Sequence, residues 1–381
     1  MPTIRVNRAA AASAVPLLAV VLAAVPAGPA MAATWSVVPT PNANSSANRF
    51  LGADALSTSY AWAVGSAETS TSTRQPIAAR WNGTAWALVT TPSLGGDAVL
   101  ESVDANTTGN AWAVGGAGTG PLAERWNGTS WSVVSTPTPA GATTARLRGV
   151  KVLATDSAWA VGQFSTSTNP TMRTLVTRWN GTAWSIVTSP NPDPTQNLLV
   201  AVDGVANDLW AVGNVGHDGY GGGTVAGLVL RWNGTAWTKA TIPSGNGFTI
   251  TELRDVVAVA SNDVWAVGTA FSWQTFSFVP YLLHWNGQSW TQSTIPNPPG
   301  GGFRTVTALS ATKVYAFGAK DTGQPLIAKW NGSTWSQETP PAGTGHFLEA
   351  ACAVAGTGTV WAVGSQTSST ARTLAIRTTN G

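Results

Sequence analysis

Three histidines (His217, His284 and His346) and one cysteine (Cys352) are the only soft metal ligands in this 381-residue chain. A catalytic metal needs several such ligands brought together. Here they fall in separate stretches, with Cys352 inside the apolar run "EAACAVA". The sequence therefore points to no metal and no cofactor, and Cys352 reads as a small buried side chain. A polysaccharide lyase or hydrolase would need two carboxylates, or His217 or His346, converging in one cleft. The 17 acids are instead dispersed. Asp104, Lys151 and Asp203 occupy matching places in successive apolar runs, and they are expected to meet as a solvated charge cluster. No catalytic residue is assigned, and an enzyme is the weaker reading.

Binding chemistry is better represented. The stretch "TAFSWQTFSFVPY" groups Trp273 with Phe271, Phe276, Phe278 and Tyr281, while "GHDGYGGG" sets His217, Asp218 and Tyr220 among glycines. Exposed aromatics beside polar loop groups can grip the apolar face of a sugar ring. Trp273, Phe271, Tyr220, His217 and Asp218 are the candidate ligand-binding residues. Phe276, Phe278 and Tyr281 are expected to extend a strand and pack.

These groups must be held by a scaffold, and an internal repeat supplies it. "WAVG" begins at Trp62, Trp112, Trp159, Trp210, Trp265 and Trp361, with "YAFG" at Tyr315 in the same role, at intervals of 46 to 55 residues. A second motif, "RWNGTxW" with small variations, places paired tryptophans five residues apart, as at Trp81/Trp86 and Trp126/Trp131. With Trp35, the two motifs contain every tryptophan except Trp273. Each repeat reads as an apolar strand, a turn, a continuously apolar "AWAVG" strand, a variable loop, and a hairpin closed at Asn-Gly. A two-residue turn there would set Trp81 opposite Thr84 and Ala79 opposite Trp86. Four antiparallel strands per repeat of this length indicate an all-β, seven-bladed β-propeller.

The ends of the chain fit this reading. The seventh repeat stops at "LAIRTTNG" without an outer strand, and "ATWSVVPTPN" near the start is an outer strand without a blade. Joined, they make one hairpin, so the N-terminal strand is expected to complete blade seven. Before it, residues 1–32 combine the basic "MPTIRVNR", an Ala-rich apolar core and the small-x-small "AMA". That pattern is a secretory signal peptide, leaving 33–381 as an exported propeller with no membrane segment and a monomeric state. Of the 20 basic residues, Arg5 and Arg8 belong to the leader, so 18 bases face 17 acids in the remainder. A near-neutral chain gives nucleic-acid binding no electrostatic support.

The "VWAVG…RWNG…W…P" arrangement resembles the kelch-type propellers, including that of the galactose-oxidase group, and blade two comes nearest with the double glycine of "AWAVGGAG". The resemblance implies architecture and leaves function open, because propellers host lectins, hydrolases, lyases, oxidases and scaffolds alike. A copper oxidase of that group would need two tyrosines, two histidines and a cross-linked cysteine, which the scattered histidines do not supply.

Two further regularities concern the hairpins. "NGT" or "NGS" at Asn82, Asn127, Asn180, Asn233 and Asn331 matches the glycosylation pattern, but tight turns explain it without glycans. A cation precedes each third-strand tryptophan (Arg80, Arg125, Arg178, Arg231, His284, Lys329), with Arg377 matching it in the last repeat. Stacking on tryptophan or pairing with Asp156, Asp208 and Asp263 is the expected role. Loops of variable length gather on the opposite face, where binding is expected. The leading expectation is a secreted, non-catalytic protein that binds carbohydrate or a cell-surface partner there. The alternative is a protein–protein interaction scaffold.

Overall fold

The computed structural model describes residues 34–381 apart from 70–72, 168–170, 206, 217–223, 246–247, 249, 273–275, 299, 344 and 368. Seven four-stranded antiparallel sheets, each built from strands adjacent in sequence save at the chain ends, make the blades of a β-propeller. Blade one shows the plan: Asn48–Ser57 inside, then Tyr60–Glu68, Arg74–Trp81 and the outer Trp86–Val89. Among the described residues no helix is long and apolar enough to cross a membrane.

Tryptophan explains why the blades pack as they do. The second-strand ring of one blade meets both hairpin rings of the next: Trp62 lies 5.0 Å from Trp126 and 5.0 Å from Trp131, edge to face. The same triad recurs at Trp112, Trp159, Trp210, Trp265 and Trp361. Each core cluster therefore spans two blades, which is why the "WAV" strand is apolar on both faces.

The hairpin register differs from the two-residue turn expected from sequence. Trp81 pairs directly with Trp86 and Ala79 with Leu88, so the loop holds four residues, Asn82 to Ala85. The cause is the asparagine side chain. Asn82 Oδ1 accepts from the backbone N–H of Thr84 and Ala85 and from Thr84 Oγ1, at 2.8–2.9 Å. An Asx-type turn thereby replaces the tighter backbone turn. The threonine that completes the glycosylation pattern is part of the turn itself.

Ring closure follows the expectation. Ser36–Val38 forms the outer strand of blade seven, with Ser36 opposite Arg377 and Val38 opposite Ala375. Beyond it, Thr40 Oγ1 donates to the Thr373 carbonyl at 2.8 Å, and Thr373 N–H donates to Asn42 Oδ1 at 3.0 Å. Trp35 packs edge-on against Tyr315 and Phe317 of blade six.

Every inner strand carries a bulge at the same place, and this feature builds the site described next. In blade one the register slips between Phe50 and Gly52, leaving Leu51 as the extra residue. The slip drives the Arg49 carbonyl against Gly65, where a Cβ would overlap the oxygen. The glycine of "WAVG" therefore belongs to the bulge, and the same overlap recurs at Gly115, Gly162, Gly213, Gly268, Gly318 and Gly364.

Candidate functional site at the channel mouth

The seven inner strands enclose a central cavity of about 510 Å³. Each runs from the loop face toward the hairpin face, so its residues lie in levels down the channel. Asp54, Asp104, Lys151, Asp203 and Cys352 share one level, because each pairs with the aromatic of its own second strand.

The acids at this level staple neighbouring blades. Asp54 accepts the Ala105 N–H, Asp104 the Val152 N–H and Asp203 the Ala258 N–H, at 2.6–3.0 Å. Nearer the loop face Asp255 accepts from Val306 N–H and Thr305 Oγ1, and Thr305 Oγ1 accepts the Ala351 N–H. Lys151 bridges the remaining step, with Nζ 2.8 Å from Asp203 and 3.7 Å from Asp104. The expected meeting of Asp104, Lys151 and Asp203 is thus observed, and backbone hydrogen bonds occupy the carboxylates.

Burial at the channel wall raises three of these acids. It lifts Asp104 to about 8 and Asp255 to about 6 and also raises Asp54, against the pull of Lys151 or of hydrogen bonds. Asp104 and Asp203 together hold Lys151 above its usual value. Cys352 is buried, and loss of hydration raises its thiol well above normal. Its role is packing.

At the bulge level the chemistry changes. A bulge leaves one residue unpaired and re-aims its side chain. The extra residues, in blade order, are Leu51, Glu101, Arg148, Val200, Arg254, Arg304 and Glu349, and all seven line the cavity. Five are charged. Arg304 pairs with Glu349 at 3.1 Å, Arg254 with Glu252, and Glu101 with Arg146 at 3.1 Å. Arg148 is held less firmly, 3.9 Å from Glu101 and donating to Gln163. Burial lowers its pKa, and repulsion from Arg146 and Arg254 lowers it further although Glu101 opposes. The channel thus has acids deep inside and, at its loop-face mouth, three arginines together with Glu101 and Glu349. From Arg254 and Arg304 a side groove of about 180 Å³ runs between blades five and six to Phe278 and Asp321.

The sequence-based candidates are distributed differently. His217, Asp218, Tyr220 and Trp273 lie outside the described residues. Phe271 is buried, 4.7 Å from Phe278 and 6.4 Å from Phe276. Tyr281 packs in the core as expected, whereas Phe276 and Phe278 are 75% and 47% exposed on the loop side of blade five. His284 stacks on Trp265 at 4.0 Å and meets Asp263 at 2.7 Å, and His346 is buried in blade seven. No three His, Cys, Asp or Glu side chains among the described residues are placed to hold a metal ion.

The fold and channel define a seven-bladed β-propeller. No family model matches the chain, and no curated protein matches it. Among solved structures it is similar to YCF48 bound to a D1 peptide, at 15% identity and a TM-score of 0.57, covering 91% of this chain and 95% of that one. It is similar also to YCF48 from Cyanidioschyzon merolae (14%, 0.57, covering 91% and 99%). The WD40 repeats of RRP9 match at 9% identity and 0.60, covering 91% and 99%. At such identities the likeness is one of fold.

Proposed function

We propose that the protein is an interaction scaffold that receives an acidic peptide segment of a partner protein at the loop-face mouth of its channel. The observation that carries this reading is the bulge-borne ring, which aims Arg148, Arg254 and Arg304 into one opening. Arginine offers paired N–H donors that match a carboxylate. An incoming carboxylate would relieve the crowding of Arg148 by Arg146 and Arg254. A protein of similar fold whose structure holds a D1 peptide supports a peptide as the ligand. The leader over residues 1–32 supports export of the scaffold, and the second-strand glycine with the fourth-strand tryptophan supports a kelch-type lineage.

A second reading rests on exposed Phe276 and Phe278 beside buried Phe271. With Trp273, Tyr220, His217 and Asp218 from nearby loops, they would supply the aromatic surface for a neutral carbohydrate.

The test is fluorescence anisotropy with acidic, basic and neutral peptides, run beside a neutral glycan array. Acidic peptides bound by the native protein, and released by Arg254→Glu with Arg304→Glu at an unchanged melting temperature, support the scaffold. Glycan binding that survives those changes but disappears in Trp273→Ala or Phe278→Ala would replace it with the second reading.

A further inference from the structure

The hairpin face carries a set of cations that the peptide reading does not use. The residue before each third-strand tryptophan points away from that ring and toward the next blade. There Arg80, Arg125 and Arg377 each lie over indoles from both blades, and Arg178 lies over the indole of its own blade. Arg80 sits 5.9 Å from Trp62 and 5.8 Å from Trp126; Arg125 lies 5.5 Å from both Trp112 and Trp179. Arg178 lies 5.3 Å over Trp159, and Arg377 lies 5.1 Å from Trp361 and 5.3 Å from Trp81.

The ring is not uniform. In blade four Arg231 pairs with Asp208, and in blade five His284 meets Asp263, each at 2.7 Å. Blades seven, one, two and three have no such acid: Arg377, Arg80, Arg125 and Arg178 form no ion pair among the described residues. Arg125 is committed to Asn110 Oδ1 and the Thr155 carbonyl. Among the described residues Arg80, Arg178 and Arg377 are held by stacking alone. In the hairpin-side turns of these four blades the one acid is Asp156. The other residues there include many Ser, Thr and Asn that can donate hydrogen bonds.

We propose that this arc binds a flexible linear polyanion, a chain bearing repeated carboxylate, sulfate or phosphate groups. Stacking on indole fixes a guanidinium while leaving its N–H edges for an anion. One cation per blade needs a partner long enough to touch several, so weak single contacts add through effective concentration. The placement also selects against a flat surface. The arginines are recessed between blades, Arg178 being the exposed one, and the Asn-Gly turns stand exposed around them. A polymer strand can enter those grooves, whereas a bilayer would rest on the turns. A near-neutral chain conceals this face because most of the described acids lie in the channel and the loop-side half.

The test is a salt titration of binding to fluorescent polygalacturonate and to inorganic polyphosphate, with phosphatidylglycerol vesicles alongside. The native protein is expected to bind both polymers, with affinity falling steeply as salt rises. Neutralising three contacts by Arg80→Gln, Arg178→Gln and Arg377→Gln should lower the log–log salt slope by about three, near one per cation. Arg178→Gln alone touches one indole at an exposed position and should lower it by about one. Arg254→Glu with Arg304→Glu should leave polymer binding intact, which separates this proposal from the peptide site. No polymer binding at low salt, binding to vesicles alone, or loss confined to the channel-mouth variant would each overturn it.

Discussion

Gly65 lies against the backbone carbonyl of Arg49 so closely that no side chain fits between them. That contact links the most regular feature of the sequence to the least obvious feature of the site. The carbonyl is there because the inner strand bulges at Leu51, and in other blades the bulge residue is a charged group at the channel mouth. The repeated motif glycine thus acts on the site through its neighbour's register.

Blade two separates this role from simple flexibility. Gly115→Ala would drive a methyl into the Val99 carbonyl, which is backbone and cannot step aside. The expected loss is about 1–3 kcal/mol, as for overpacking. Gly116→Ala meets the Arg146 side chain instead, which can move, so a loss below about 1 kcal/mol is expected. Urea denaturation of the two variants checks the contrast, and equal losses would remove the proposed link between glycine and bulge.

Lys151 should matter more as pH rises. Lys151→Met would leave Asp104 and Asp203 facing one another across the channel with their cation gone. At neutral pH the expected cost is about 2–4 kcal/mol, below a fully buried pair because the three side chains keep 15–27% exposure. Asp104 holds its proton up to about 8, so its repulsion with Asp203 adds to this cost only as pH rises through that value. In the native protein the raised Lys151 contributes stability at and below neutral pH, lost only above its ordinary value as pH climbs through the folded one. A cost that stays constant between about pH 6 and about pH 9 would mean that the cluster carries no net electrostatic role.

The fold was largely legible because its determinants are local and repeated. Trp62 and its counterparts mark the second strand, the paired tryptophans mark the hairpin, and Trp35 without a blade marks the closing strand. The charge cluster was legible too, since Asp104 and Lys151 stand at an offset of eight residues before their motif tryptophans and Asp203 at seven. The mouth arginines were not identified. Charges recur three residues before that offset, at Glu101, Arg148, Arg254, Arg304 and Glu349, in a chain with only 10% charged residues. Strict alternation alone does not reveal that these residues occupy bulges. The hairpin register was missed for a related reason: Asn-Gly favours a two-residue turn until the Asn82 side chain takes up the N–H of Thr84 and Ala85.

Closure of the ring can be tested at Trp35. Its ring is 5% exposed and fills the junction where blade six supplies Tyr315 and Phe317. Trp35→Ala should cost about 3–5 kcal/mol. Because Ser36–Val38 pairs with the third strand of blade seven, hydrogen exchange should accelerate in Ala371–Thr378 before other blades. Uniform acceleration around the ring would show that the terminal strand is not a separate weak point.

Glu124 is the clearest electrostatic liability in the core. It lies on the third strand of blade two, opposite Ala113 and Val133, and is completely buried with neither carboxyl oxygen hydrogen-bonded among the described residues. Blades four and five place Leu230 and Leu283 at the same position. Burial raises the Glu124 pKa from 4.5 to about 8. Below 4.5 both folded and unfolded chains hold the proton and there is no ionic cost. Between 4.5 and about 8 the unfolded chain ionises first, so this residue makes stability fall as pH rises. Above that value the penalty is complete. Glu124→Leu should therefore stabilise the protein on the order of 3–5 kcal/mol at pH 8 and by only about 1 kcal/mol near pH 4. Paired denaturation curves at acidic and alkaline pH isolate the effect, because other buried acids contribute equally to both proteins. A gain that does not grow with pH would show that the carboxyl reaches a partner or water when it ionises.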